Sequence, residues 1–414
     1  MDNPIQVVAW LALIAVGVVS CQFIVNQYRL YRTARETATL EHDYLRERIA
    51  LIADQRRLER EKSEASWNGF RKFRIVDKVP EAQDICSFHL APHDGKPLPP
   101  FLPGQYLTFQ LRVPGQPKPV IRCYSLSDRP GVPERYRVTI KRVPNGVVSN
   151  HFHDRLNIGD IVDVKAPSGQ FVLDLQGQAP VVLIGGGVGL TPVLSMLNAL
   201  AETGARREVW FFYGVRNGRE HCMKEHLQSL AARYPALRLN ICYSDPTNEE
   251  RAATPPAFQH AERVTVDLLQ RVLPSSQFEF YICGPPPMMD ALIAGLKSWG
   301  VPEDKIFFEA FGAATVKKPA LQTPGITSSH ALKIQFGRSG KTCAWHADAG
   351  SLLELAEKQG VAIDSGCRAG NCGTCLVAIK SGEVNYLKEP GFAVETGSCL
   401  TCIAVPKTPL VLDA

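Results

Sequence analysis

Three closely spaced cysteines near the carboxyl terminus constrain this chain more than any other feature. The segment is Cys367-Arg-Ala-Gly-Asn-Cys372-Gly-Thr-Cys375, and Cys402 follows further along the chain. A C-x4-C-x2-C run with a distant fourth cysteine is the spacing with which thiolates hold a [2Fe-2S] cluster. Glycines between the ligands let the backbone pass close to sulfur and present its N–H groups. The spacing therefore predicts a [2Fe-2S] site.

Zinc and disulfide interpretations fit these cysteines less well. A zinc site prefers two C-x2-C pairs, and disulfides are disfavoured in a reducing compartment. Six of the 12 cysteines lie from Cys343 onward, which favours a metal-binding domain over disulfides spread along the chain. Spacing alone leaves both Cys399 and Cys402 open as the fourth ligand.

The amino-terminal segment has the composition of a membrane span. Residues 5–25 carry no formal charge and are rich in Val, Ile, Leu and Ala. At about 1.5 Å per residue they would cross a hydrocarbon core of roughly 30 Å. A cleaved signal peptide is the alternative, but it would begin with basic residues and have a shorter apolar core. Here Asp2 precedes the apolar run and arginines follow it, so we predict a retained single-pass anchor (residues 1–26) in an inner or plasma membrane, with the following domains in the cytoplasm.

Residues 27–66 are dense in Arg and Glu and contain neither Pro nor Gly, which predicts one long helix. Leu, Thr or Tyr recurs every seven positions from Leu30 to Leu58, but Arg48 and Gln55 interrupt the second heptad stripe. The segment is interpreted either as a solvated helical stalk or as a coiled coil that forms a homodimer.

The segment from residue 67 to residue 178 changes to short β-branched and aromatic runs broken by Pro and Gly. That pattern is typical of an antiparallel β-barrel. Two motifs stand in it, Arg122-Cys-Tyr124-Ser125 and Gly146-Val147-Val148-Ser149. Arg122 can bind a phosphate with two parallel hydrogen bonds, and free N–H groups in the second motif can meet a pyrophosphate. Together these features predict a flavin-binding barrel.

This segment resembles the FAD domain of the ferredoxin–NADP reductase superfamily, and it is most similar to the reductase part of flavohaemoglobins. The resemblance implies bound FAD, with FMN as the alternative. It also implies that Tyr124 lies against the flavin, that Ser125 lies near the flavin N5 atom, and that Tyr106 and Lys141 contact the cofactor. No globin sequence precedes the segment, so the haem function of flavohaemoglobins is not expected.

Residues 179–313 alternate apolar strands with helical segments, which predicts a doubly wound parallel sheet. The first strand runs into Gly-Gly-Gly-Val-Gly-Leu-Thr-Pro, which lacks the last glycine of a G-x-G-x-x-G motif. A strand before the loop and a helix after it still place a pyrophosphate at a helix N-terminus. The alternative is a bare glycine turn. The candidate nucleotide contacts are Gly186, Gly187, Gly189 and Thr191.

Two later segments extend the resemblance to the superfamily. Cys283-Gly284-Pro285-Pro-Pro-Met288 is similar to a loop beside the nicotinamide, and Phe308-Glu309-Ala-Phe311 is similar to a segment beside the flavin. The resemblance implies that Ser125, Cys283 and Glu309 act at the reacting rings. It implies nucleotide contacts from Gly284, Pro285 and Met288, and a contact with the flavin cofactor from Phe311. A buried apolar role for Cys283 and a surface position for Glu309 are the alternatives.

The choice between NADH and NADPH depends on the side chain after the second strand. An acid there binds the ribose hydroxyls, whereas a base binds a 2′-phosphate. Arg216 and Arg219 follow that strand, with no acid directly after it. A single arginine is often only a solvated side chain, so both nucleotides stay open.

Residues 314–330 are rich in Ala, Thr, Pro, Ser and Lys without periodicity, which is typical of a linker. Residues 331–414 resemble a plant-type ferredoxin domain, including the sequence Leu400-Thr401-Cys402. The resemblance implies a β-grasp fold, and it implies that Cys367, Cys372, Cys375 and Cys402 are the cluster ligands while Cys399 is a neighbour. Before the cluster loop we expect a strand pair and a helix with Ser351 as its N-cap.

These modules together predict an electron relay. NAD(P)H gives two electrons to FAD, and the [2Fe-2S] cluster passes them singly to an electron-acceptor protein. A net charge of +5 is mild and argues against nucleic acid as the main partner. The favoured interpretation is the reductase of an oxygenase or desaturase system, with a membrane-bound partner. An electron-input subunit of a membrane respiratory complex and a cluster-based redox sensor are the alternatives.

Overall fold

The computed structural model describes most of the chain after residue 65. It describes residues 17, 22, 27–28, 66–67, 69–131, 134–202, 207–309, 311, 331–346, 349–366, 368, 370, 373–387, 390 and 394–414. The predicted anchor and the stalk with its dimer interface lie outside the described residues, apart from isolated helical positions, and so does the linker. None of the helices in the described part of the chain combines the length and the apolar character needed to cross a membrane.

The first sheet has six antiparallel strands that close into a barrel. The strands are β1 (Arg71–Ala82), β2 (Ile85–Pro92), β3 (Tyr106–Leu111), β4 (Val120–Ser125), β5 (Tyr136–Lys141) and β6 (Ile161–Val164). They are ordered β4-β3-β6-β1-β2-β5, and a bridge between Leu126 and Val138 joins the two edges. Alternate side chains point inward, so Phe73, Phe88 and Phe109 fill the centre, fully buried. The predicted antiparallel barrel is confirmed.

A short helix follows β5 and starts at the second of the two barrel motifs, where the sequence analysis predicted free N–H groups but no helix. Helix α1 (Val147–Asp154) has Gly146 as its N-cap. The ring of Phe152 in this helix packs edge-on against the rings of Phe88 and Phe109, with centroid distances of 5.0 and 5.4 Å. Eight residues are too few for a stable isolated helix, so this packing on the barrel is what stabilises α1.

The second sheet is parallel and has helices on both faces. Its strands are β7 (Val181–Gly186), β8 (Val209–Val215), β9 (Leu237–Tyr243), β10 (Glu279–Cys283) and β11 (Ile306–Glu309), in the order β11-β10-β7-β8-β9. The helices are α2 (Leu190–Glu202), α3 (Lys224–Arg233), α4 (Asn248–Ala252), α5 (Val266–Val272) and α6 (Pro286–Ser298). Separate apolar clusters cover the two faces. The predicted doubly wound sheet is confirmed, and its strand order reverses between β7 and β10, where such sheets bind ligands.

The residues from 331 onward form a mixed five-stranded sheet and a separate strand pair. The elements are β12 (Leu332–Phe336), β13 (Lys341–Trp345), α7 (Leu352–Lys358), β14 (Leu376–Ser381), β15 (Val384–Tyr386), β16 (Ser398–Leu400), β17 (Ala404–Pro406) and β18 (Leu410–Leu412). In the larger sheet β12 pairs with β18 in parallel, as the β-grasp expectation requires. Ser351 caps α7 as predicted, because Ser351 Oγ accepts the Glu354 N–H at 3.3 Å and the Glu354 carboxylate accepts the Ser351 N–H at 2.9 Å.

One buried arginine holds the segment that joins the barrel to the parallel sheet. The guanidinium of Arg207 donates to the carbonyl oxygens of Asp174 at 2.8 Å and Ala179 at 2.5 Å. It also pairs with the Glu279 carboxylate at 2.8 Å, and exposed Lys305 pairs with the other oxygen of that carboxylate at 2.9 Å. Because every bond offsets part of the cost of burying the charge, Arg207 fastens the connection between the two folds.

We predict that Arg207→Met lowers the free energy of unfolding by about 3 kcal/mol or more, because it leaves the Glu279 carboxylate and two carbonyl groups without their donor. Urea unfolding measures the change. Lys305→Met is the matched control, since it removes the exposed partner of the same carboxylate, and it should have little effect. Equal losses in the two variants would contradict the role given to Arg207.

Candidate cofactor sites

The barrel places the Arg-x-Tyr-Ser motif on β4, at the edge of the sheet order. On the neighbouring strand β3, Tyr106 lies opposite Ser125, and both side chains are buried. Arg122 is exposed, and its guanidinium donates to the carbonyl oxygen of Ile121 at 2.7 Å. No acid in the described part of the chain pairs with Arg122. The cation is therefore available for a phosphate, as the FAD interpretation requires.

Tyr124 lies half-buried among the aromatic rings of the barrel. Its ring centroid is 5.7 Å from that of Phe109 and 5.5 Å from that of Phe152, both in edge-on geometry. Burial raises the pKa of the Tyr124 phenol, and the nearby Arg122 cation opposes the rise only partly. The phenol stays protonated at neutral pH, so it can donate a hydrogen bond to a flavin.

The N-terminus of α1 is shaped for an anion. A Cβ at Gly146 would overlap Ser149 Oγ, and that hydroxyl already accepts the N–H of Val143 at 3.2 Å. No side chain caps the helix, which leaves the N–H groups of Val147 and Val148 for a ligand. The pyrophosphate of FAD fits this cradle, because it needs N–H donors and a close approach to the backbone.

Lys141 has a partner outside the barrel. Its ammonium lies 3.7 Å from the Glu220 carboxylate, which belongs to the connection after β8. The structure therefore places this predicted flavin contact at the boundary between the two folds, paired with an acid.

The two nucleotide loops touch at the carboxyl edge of the parallel sheet. Cys283 lies opposite Gly185 on one neighbouring strand and opposite Glu309 on the other. A Cβ at Gly189 would overlap the Cys283 carbonyl oxygen, and one at Gly186 would lie 2.6 Å from the sulfur of Met288. Glycine is required at position 189 because the loops meet backbone to backbone there. At Gly186 the facing atoms belong to the side chains of Met288 and Pro285.

The predicted nucleotide residues surround this contact. Gly187 has a φ of +54° and begins a single 3₁₀ turn to Gly189, after which α2 starts. Thr191 Oγ1 donates to the carbonyl oxygen of Val188 at 3.1 Å and so fastens the turn to α2. On the other loop, Gly284 faces Met288 and Pro285 is the N-cap of α6. The turn from Gly187 to Gly189 has no side-chain cap and can offer its N–H groups to a dinucleotide. The start of α6 offers none, because its first two residues are prolines and the N–H groups of Met288 and Met289 donate to the Pro285 carbonyl oxygen.

Cys283 and Glu309 are both buried at this edge. Burial, and then the neighbouring Glu309 carboxylate, raise the pKa of the Cys283 thiol well above its usual value. The thiol stays protonated and is no nucleophile at neutral pH. The neighbouring rings of Phe308 and Phe311 are 52% and 37% exposed, so the strand end presents apolar surface next to a buried acid.

The loop after β8 carries charges of both signs. Arg216 is exposed, but the Glu250 carboxylate reaches the same loop and accepts the N–H groups of Gly218 and Thr247, each at 2.8 Å. Glu250 does not follow β8 directly in the sequence, because α4 supplies it from the next connection. The structure therefore adds no support to the interpretation of Arg216 as a contact for the 2′-phosphate of NADPH.

The structure describes two of the four predicted cluster ligands and brings them together. Cys375 and Cys402 are both buried. The N–H and the hydroxyl of Thr401 donate to the carbonyl oxygen of Cys375 at 3.1 and 3.0 Å. Cys367 and Cys372 lie outside the described residues. In the described part of the chain, which excludes those two cysteines, no group of three or more potential metal ligands occurs.

The environment of Cys399 differs from that of Cys402. Cys399 packs in the main core with residues such as Ile334 and Phe336, whereas Cys402 packs with Cys375 in a second cluster that includes Ile403. Gly370 has a φ of +73°, and a Cβ there would overlap the Ile403 side chain. The loop before Cys375 therefore lies against the Cys402 side, which fits a [2Fe-2S] cluster held there and favours Cys402 over Cys399.

A flavin-type barrel, a doubly wound nucleotide sheet and a cysteine-bearing mixed sheet define the class of iron–sulfur flavoprotein oxidoreductases. Family models agree with each part. The oxidoreductase FAD-binding domain matches residues 72–173, the oxidoreductase NAD-binding domain matches residues 183–293, and the 2Fe-2S iron-sulfur cluster binding domain matches residues 336–407.

Individual relatives resemble different parts of the chain. The flavohaemoprotein of Bacillus thuringiensis subsp. konkukian is 42% identical over 256 residues, which are 61% of this chain and 63% of that protein. The flavohaemoprotein of Halalkalibacterium halodurans is 38% identical over 284 residues, 65% of this chain and 68% of that protein. This chain thus spans about 63% of the length of the first of these relatives.

A solved structure extends the similarity into the iron–sulfur part. Phthalate dioxygenase reductase, described as a modular structure for electron transfer from pyridine nucleotides to [2Fe-2S], is 29% identical with a TM-score of 0.53. The match covers 84% of this chain and 98% of that one. The chain belongs to the ferredoxin–NADP reductase superfamily and carries a C-terminal [2Fe-2S] domain. Its three matched parts are the FAD-binding, NAD-binding and 2Fe-2S cluster-binding domains of oxidoreductases.

We predict that Arg122→Gln weakens FAD binding by about tenfold or more, because it removes a charged, forked donor from the pyrophosphate. Flavin absorbance per chain, after purification and after addition of graded FAD, measures the effect. Arg112→Gln is the matched control, since Arg112 is also exposed but lies beyond the end of β3. Equal flavin content in the two variants would show that Arg122 does not bind FAD.

Proposed function

We propose that the protein is a membrane-anchored reductase that takes electrons from NAD(P)H and passes them singly to a partner oxygenase, desaturase or other redox protein. The observation that carries the proposal is the pair of buried cysteines, Cys375 and Cys402, which Thr401 joins in the same chain as two nucleotide-binding folds. A cluster bound at this pair would let the flavin release its electrons one at a time. The resemblance of the chain to phthalate dioxygenase reductase over most of both chains supports the order nicotinamide nucleotide, flavin, cluster.

The cofactors supply the redox chemistry, since FAD accepts electrons in pairs and releases them singly while the cluster carries one at a time. The residues of this chain bind and orient. Arg122 and the uncapped start of α1 hold the FAD pyrophosphate, and the turn from Gly187 to Gly189 holds that of the nicotinamide nucleotide.

Three side chains are proposed to act at the reacting rings. Ser125, at the end of β4, donates a hydrogen bond near the flavin N5 position. The protonated thiol of Cys283 fills the edge of the nicotinamide site and excludes water, since it is fully buried. The Glu309 carboxyl group lies next to Cys283 in register and would lie near the same ring edge.

We expect Cys402→Ser to abolish the cluster absorbance and the reduction of one-electron protein acceptors such as cytochrome c. Reduction of ferricyanide by NAD(P)H should persist, because the flavin can supply it directly. Cys399→Ala is the matched control and should keep the cluster, since Cys399 packs in the main core. Loss of the cluster in the Cys399 variant but not in the Cys402 variant would reverse the assignment. Equal loss of ferricyanide and cytochrome c reduction would show that the order of carriers is wrong.

The membrane anchor is proposed from the uncharged run of residues 5–25, with the catalytic domains on the cytoplasmic side. A chain that starts at residue 27 should move from the membrane fraction to the soluble fraction of the cell and keep its NAD(P)H–ferricyanide activity. The full chain should need detergent for release. Recovery of the full chain in the soluble fraction without detergent would contradict the anchor.

A further inference from the structure

Helix α2 connects the nucleotide loop to the end of the flavin strand. It begins directly after Gly189, and its second and third turns contact the residues that follow β4. Ser195 Oγ donates to the carbonyl oxygen of Asp128 at 2.8 Å, and Asn198 Nδ2 donates to that of Ser127 at 3.4 Å. Ser195 and Ser127 are fully buried, and Asn198 is nearly so. Buried polar side chains need partners, and these two find theirs across the boundary between the parallel sheet and the barrel.

The acceptor segment is also fixed from the barrel side. Arg137 Nη2 donates to the carbonyl oxygen of Ser127 at 2.6 Å, and the Ser127 hydroxyl is hydrogen-bonded to that of Thr139 at 2.8 Å. On the other side, His226 Nε2 lies 2.7 Å from Asn198 Oδ1 and donates to it, which turns the amide nitrogen toward Ser127. The contact is therefore held at both ends.

The path through this contact is short. Asp128 lies three residues after Ser125, which is about 10 Å of extended chain. Ser195 lies six residues after Gly189, which is about 9 Å of helix. A small displacement of α2 against the barrel would therefore change the separation of the two candidate sites.

Packing beside this contact is incomplete. A cavity of about 200 Å³ lies between the two folds, lined by residues that include His226, Leu230 and Tyr234. At its rim Arg129 pairs with Glu202 at 2.6 Å, but both side chains are largely exposed. An exposed ion pair of this kind contributes little to stability. The buried hydrogen bonds therefore determine how the two folds are aligned on this side.

We propose that Ser195, assisted by Asn198, is a positioning residue for electron transfer from the nicotinamide to the flavin. Its bond to Asp128 sets the distance and angle between the glycine loop and the end of β4. Ser195 touches neither ring; it acts through α2. This proposal rests on the proposed reductase function, and it adds that the reacting rings are aligned by a hydrogen-bonded contact outside both cofactor sites.

The test compares Ser195→Ala and Asn198→Ala with Arg129→Gln as the matched control. Each purified, FAD-loaded full chain is mixed without oxygen with a saturating excess of NADH, and in parallel of NADPH, and flavin reduction is followed. Ser195→Ala should lower the limiting rate by about tenfold, with little change in the nucleotide concentration at half-saturation. Asn198→Ala should have a smaller effect because its 3.4 Å bond is weaker, and Arg129→Gln should have none.

Two further measurements do not depend on turnover. The long-wavelength charge-transfer absorbance of the nucleotide–flavin complex, which reports ring stacking, should weaken in Ser195→Ala at unchanged FAD content. In the FAD-free chain, amide hydrogen exchange should become faster in the peptide that contains Asp128 and Arg129, again in the Ser195 variant and not in the Arg129 variant.

An unchanged limiting rate and charge-transfer absorbance in both Ser195→Ala and Asn198→Ala would overturn the proposal. Rate losses that follow only a lower melting temperature or FAD content would also overturn it, in favour of a purely stabilising role. If the parent chain itself fails to reduce its flavin with either nucleotide, the proposed function fails instead, and the exchange measurement still decides whether Ser195 holds the contact.

Discussion

The backbone contact between the glycine loop and the Cys283 loop is the constraint on which the rest of the nucleotide site depends. A side chain at position 189 would overlap the Cys283 carbonyl group. Only glycine at this position lets the two loops approach so closely. This approach brings the starts of α2 and α6 side by side at the point where the strand order reverses. It also places Cys283 and Glu309 at the same edge, where their burial keeps the thiol protonated. The contact between the loops, the positions of the two helix starts and the position of the buried acid therefore depend on one another.

The barrel is joined to this arrangement by polar contacts of unequal strength. Arg207 fastens the connecting segment at the far side of the sheet with three buried bonds. Ser195 ties α2 to Asp128 near the cofactor sites. Exposed pairs such as Arg129 with Glu202 add little. Because hydrogen bonds between buried groups are directional, these few contacts hold the orientation of the two folds more sharply than apolar packing alone would.

Much of the fold could be predicted from local patterns. Strand alternation indicated the barrel, apolar runs with intervening helices indicated the parallel sheet, and Ser351 indicated the start of α7. Helix α1 was not predicted, because Gly146 and the valines after it have no strong helix preference. Its helix depends on Phe152 packing against Phe88 and Phe109, which no local pattern encodes.

The parts of the site that could not be predicted come from residues distant in sequence. Glu250 reaches the loop after β8 from another connection, and Ser195 meets Asp128 across 67 positions. Cys399 and Cys402 are equivalent by spacing but pack in different clusters. In each case the sequence supplies the residue type, whereas the packing of separate elements selects its partner.

The measurement that most directly tests the account is anaerobic reduction of the purified full chain by NADH or NADPH. Flavin absorbance and the electron paramagnetic resonance of the cluster are followed on the same sample. The account predicts that the flavin bleaches first and that the signal of a reduced [2Fe-2S] cluster then appears without any added mediator. A flavin that is reduced while the cluster stays oxidised, or a chain that contains no flavin or no iron, would contradict it.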